Sequence, residues 1–113
     1  MLETVDFEVP RGSNTPAMTW ELYGEDGNPL LLTDATLTLR IWADGLLITK
    51  TSGEQGLAVE AGTASLTWTP TLEESVSIPF GRVAEYQVGF KRGATTRPII
   101  SGFVIGTYST TQD

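Results

Sequence analysis

Two of the side chains that most often do chemistry are absent, since the 113 residues contain neither His nor Cys. That removes the usual general base, the commonest metal ligand and any thiolate nucleophile together. Carboxylates remain. Glu73-Glu74 is an acid pair of the kind glycoside hydrolysis uses, yet neighbours at a helix start point in different directions, and helix-dipole complementarity accounts for both. Glu25-Asp26-Gly27-Asn28, with Asp34 nearby, offers oxygens to a calcium ion. It lacks the Asp-x-Asp/Asn-x-Asp/Asn-Gly order and the distal Glu of a calcium loop, and a hairpin turn explains the same residues. Gly102-Phe-Val-Ile-Gly106 has no nucleophile-elbow spacing and no base to serve one. The two glycines suit a last strand that bends or lies close against a neighbour. The expectation is a protein that is not an enzyme and takes no cofactor and no metal.

Aromatic and basic residues offer binding instead. Stacked aromatics could hold sugar rings, with Glu21 and Glu85 as hydrogen-bonding partners. Trp20 and Trp68, however, fall in phase with the apolar side of their segments, which reads as core. Trp42 falls with Thr38 and Arg40 on the polar side, so it is either exposed or covers a sheet edge. Arg82, Lys91, Arg92 and Arg97 cluster in the last third of the chain. They are either solvated strand ends or a basic region that meets an acidic partner. Trp42, Lys91, Arg92 and Arg97 are therefore the candidate partner contacts.

The elements that must position these residues read as β throughout. Val5-Phe7-Val9, Met18-Trp20-Leu22, Leu37-Leu39-Ile41, Ala64-Leu66-Trp68 and Ala84-Tyr86-Val88-Phe90 all alternate with polar neighbours. This is the period of a strand with one buried face. Clusters of Gly, Asp, Asn and Pro separate the runs at intervals near ten residues. Only Pro70–Ser75 looks helical, with Thr69 as its cap, Pro70 in the first turn and two acids following. The tail Ser109–Asp113 is polar and expected to fray.

This grammar predicts a single domain over residues 1–113: an all-β, immunoglobulin-like antiparallel sandwich of seven to eight strands with one short helical turn near 70–75. Jelly rolls share the pattern, so it leaves the strand order open. The net charge is −7, with ten acids and three bases in residues 1–60 and four of each beyond. Such a surface repels phosphate backbones, so nucleic acid is not an expected partner. The N-terminal residues lack the basic and apolar regions of a signal peptide, and no apolar run reaches membrane-spanning length.

Phe7-Glu-Val-Pro-Arg-Gly12 leads to a Trp-bearing strand and then to Tyr23-Gly-Glu-Asp-Gly-Asn-Pro-Leu30-Leu-Leu-Thr-Asp-Ala35. This order resembles the opening of small immunoglobulin-like structural domains of tailed bacteriophages, including the N-terminal domain of siphophage upper baseplate proteins. Ala64-Ser-Leu-Thr-Trp-Thr-Pro-Thr-Leu-Glu-Glu is similar to the segment that precedes their aromatic strand. The chain departs from them at Leu31-Leu32-Thr33-Asp34, where the family tends to show Asp-Leu-Thr-Gly. The resemblance implies a virion structural protein made in the host cytoplasm. It implies baseplate, tail or head contacts with copies of itself or another virion protein, often in oligomers, and no catalytic residues. Docking is expected at unpaired groups of the first or last strand. The alternative is a module that recognises a host-surface glycan through exposed aromatics.

Overall fold

Leu37, Leu39 and Ile41 point to one side of an extended chain, and Thr36, Thr38, Arg40 and Trp42 to the other. Burying the first set against a second sheet is what turns such a pattern into a sandwich. The computed structural model describes residues 3–12, 17–24, 27–30, 32, 34–53, 56–60 and 64–107. Its strands are β1 (Glu3–Thr4), β2 (Phe7–Pro10), β3 (Met18–Glu21), β4 (Thr36–Ala43), β5 (Leu46–Thr51), β6 (Leu57–Glu60) and β7 (Ser65–Trp68), followed by helix α1 (Leu72–Ser77), β8 (Gly81–Arg92) and β9 (Thr95–Thr107).

Two sheets form. The larger runs β1-β9-β8-β4-β5, with β2 also on β9, and the smaller runs β3-β7-β6. With the N-terminal segment set aside, this is the immunoglobulin order, a G-F-C-C′ sheet facing a B-E-D sheet. The described strands number nine rather than seven or eight. The difference arises because the first apolar run splits: β1 pairs Glu3–Thr4 with Ile100–Ser101, and β2 pairs Phe7–Pro10 with Val104–Thr107. Both pairings are parallel, so the large sheet is mixed rather than wholly antiparallel. They also place β9 between β8 and the N-terminal strands. The last strand therefore has no open edge; among the described strands the free edges belong to β1/β2, β5, β3 and β6.

The helix lies at Leu72–Ser77, two residues beyond the expected start. Thr71, not Thr69, caps it: its hydroxyl accepts from the Glu74 amide, while the Glu74 carboxylate accepts from the Thr71 amide. A complete capping box outcompetes the Thr69-Pro70 start, because it satisfies two orphan amides reciprocally. Glu74 also pairs with Lys50 at 2.8 Å, which ties the helix to β5.

Trp20, Trp68, Phe7 and Tyr86 meet in the core. Phe7 stands edge-on to Trp20 at 5.4 Å, to Tyr86 at 4.9 Å and to Trp68 at 6.1 Å, the arrangement that ring quadrupoles favour. The Trp20 indole donates to the Tyr86 hydroxyl at 3.1 Å, and that hydroxyl donates to the Val5 carbonyl. Core and edge strand are thereby joined by one polar chain. Among the described residues, no helix is long and apolar enough to cross a membrane.

Candidate interaction face

The outer face of the large sheet collects the side chains that alternation excludes from the core. Cross-strand register arranges them in rows. One row reads Leu47–Trp42–Glu85–Phe103 from β5 to β9. Leu47 is 67% exposed, and Val83, two residues from Glu85 on β8, is 55% exposed. Trp42 is half-buried. It lies on an interior strand between β5 and β8, so it covers no sheet edge.

Arg82 frames this end of the face. Its guanidinium lies 4.0 Å from the centre of the Phe103 ring and binds Asp6 at 3.1 Å. The other Asp6 oxygen accepts the Phe103 amide at 2.9 Å. That amide bond, and then the Arg82 guanidinium, hold the Asp6 carboxyl below its ordinary value of 3.8. Arg82 thus stands apart from the other basic residues of the last third, which lie at the far end of β8.

That far end is a groove of about 300 Å³. Its floor is recessed for a local reason. The β8–β9 register shifts between Val88 and Gly89, which leaves Gly89 opposite Pro98, and neither contributes a side chain long enough to fill the face. Arg40, Lys91 and Arg97 line the groove, with Gln87 and the hydroxyls of Thr36, Thr38 and Thr96. The lining contains no carboxylate, and no described Asp or Glu pairs with the three cations. The guanidinium carbon of Arg97 lies 5.7 Å from the Phe90 ring centre and that of Arg92 lies 5.1 Å away, both within cation–π range of a core aromatic.

Of the four anticipated contacts, Lys91 and Arg97 share the groove. Arg92 lines the adjoining hollow with Leu30, Thr95 and Arg97. Trp42 lies on the same face, one outward position beyond Arg40. Arg40 was missed by sequence reasoning: fifty residues separate it from the basic cluster, and only the register Arg40–Gln87 brings it there. Its outward phase with Trp42 was the available signal.

The remaining candidates resolve into structural roles. Trp20 and Trp68 are 3% and 0% exposed, so neither offers a sugar platform. Glu21 lies on β3 and accepts from the Tyr23 hydroxyl at 3.2 Å, whereas Glu85 lies on the other sheet. The two cannot serve one ligand. Glu74 is used by the capping box and Lys50, and Glu73 points to solvent. Glu25 and Asp26, like the tail Ser109–Asp113, lie outside the described residues. On either side of Glu25 and Asp26, Tyr23 is bridged to Pro29 and Gly27 has φ 83°. No group of three or more Asp or Glu positioned to hold a metal occurs among the described residues.

The glycine pair marks two close approaches. A Cβ on Gly102 would lie 2.0 Å from the Val5 carbonyl oxygen, and one on Gly106 would lie 2.3 Å from that of Pro79. Compared with known proteins, the chain matches no family model and no curated protein.

Proposed function

We propose that the chain is a non-enzymatic structural or assembly module of a tailed-bacteriophage virion, in a baseplate, a tail or a head accessory, acting through protein–protein contacts. The observation that carries this reading is the row Leu47–Trp42–Glu85–Phe103 with Val83 beside it. Exposed aliphatic groups beside a half-buried Trp and an Arg-stacked Phe have the make-up of an interface centre. The phage setting comes from the resemblance of the turns and strands. Protein contacts also suit a row of side chains spread over four strands better than a small ligand does, since a small ligand calls for a concave site. The ring face of Phe103 and that of Phe80 each carry a guanidinium, from Arg82 and Arg11 respectively, which weighs against sugar stacking on these two rings.

The occupant proposed for this face is a second copy of the chain. Light scattering behind a sizing column tests it on the wild type and on Leu47→Arg and Val83→Arg. The wild type should exceed the 12.2 kDa monomer mass increasingly with concentration, and both substitutions should return it to monomer. An assembly that ignores both substitutions contradicts this use of the face.

A further inference from the structure

The outer face is polarised along its strands. Glu85 lies in the first half of β8 and Lys91, six residues on, lies next to its end; Arg97 lines the groove with Lys91, and Arg40, opposite Gln87, lies between the two positions. Six residues of strand span roughly 20 Å, about two Debye lengths at ordinary ionic strength. Glu85 and Lys91 therefore act on a partner as separate charges. No described cation pairs with Glu85, just as no described carboxylate pairs with the groove. One face thus carries an acid without a base and a basic groove without an acid.

We infer that two copies pair face to face about a two-fold axis lying across the strands near Val88, so that Glu85 of each copy enters the basic groove of the other and meets Lys91. This rests on the reading above and names its partner and register. A two-fold interface must be self-complementary, because residue i meets residue j twice. The axis that reverses strand direction is the one that superposes opposite charges here. It sets position 85 against position 91 on β8. Through the observed register it also sets Trp42 against Thr36 on β4, and Phe103 against Thr96 on β9. The same axis sets Gln87 over the recessed Gly89–Pro98 floor, while the carboxylate that arrives at Lys91 meets the hydroxyls of Thr36 and Thr96 on the neighbouring strands. Local attraction of this kind is what a chain of net charge −7 needs in order to associate with itself against its own repulsion.

Charge reversal tests the register through Glu85→Lys and Lys91→Glu. Each residue is exposed, and circular dichroism checks that each variant is folded. Either variant alone sets like charges together at both symmetric contacts. Dimerisation should weaken roughly tenfold or more, judged by sedimentation equilibrium. In a mixture of the two variants, the two reversed side chains face each other at one contact, again as opposite charges. At the other contact the native Lys91 of one chain meets the native Glu85 of its partner. An equimolar mixture should therefore form heterodimers although each component alone is monomeric.

Absence of heterodimer in a mixture of folded, monomeric variants overturns the pairing. A wild-type dimer that resists both reversals but dissociates with Leu47→Arg overturns the groove contact and leaves the broader reading of the face standing. A wild type that is monomeric at all concentrations overturns the self-pairing itself.

Discussion

Asp6 shows how one side chain organises several levels of this fold. It interrupts the first apolar run between β1 and β2, caps the Phe103 amide and holds Arg82 over the Phe103 ring. Because its folded-state value lies below 3.8, the stability it contributes is fully present above that pH and is lost as pH falls through the folded value. Thermal melts of the wild type should therefore drop as pH is lowered from about 4 downward. Asp6→Asn should melt lower than wild type at neutral pH and show a flatter dependence over the same acid interval. Parallel curves for the two proteins would contradict this role. The sequence showed Asp6 only as an outward residue of a strand. Nothing in its spacing revealed a partner ninety-seven positions away.

At the scale of elements, what was legible was whatever periodicity and local chemistry determine. The alternating runs became β2, β3, β4, β7 and β8 with the expected faces inward. The glycines of the last strand were read as allowing either a bend or a close approach, and both lie close against neighbouring backbone. Parallel docking of the N-terminal strands on β9 was not legible, since a parallel neighbour leaves no turn signal. The helix start moved because Thr71 and Glu74 form a reciprocal cap that an argument from Pro70 overlooked. One substitution probes the N-terminal docking directly. Gly102→Ala places a methyl group 2.0 Å from the Val5 carbonyl oxygen, which only backbone movement can relieve. It should cost about 1–3 kcal/mol, in the range of overpacked core changes. It should also expose the Val5 amide, now bonded to Ser101, to faster hydrogen exchange. Wild-type stability and unchanged Val5 exchange would count against the strand contact described here.

For the molecule as a whole, the sandwich was readable from the sequence and the candidate face was readable only in part. Lys91, Arg92 and Arg97 were singled out because they cluster in an otherwise acidic chain, and Trp42 because it falls on the polar side of its strand. Arg40 and the Gly89–Pro98 recess were not, because register and a bulge are properties of paired strands rather than of either strand. The outer face, on the reading proposed above, is where the protein meets a second copy of itself. The most direct test follows backbone amide and indole resonances by NMR as the concentration is raised. Three Trp give three indole signals, two from buried rings and one from the half-buried Trp42. The predicted result is movement of the Trp42 indole and of amides around Leu47, Glu85, Gln87, Lys91 and Arg97, with Trp20 and Trp68 still. Movement confined to α1 or β6, or no movement at any concentration, would contradict it.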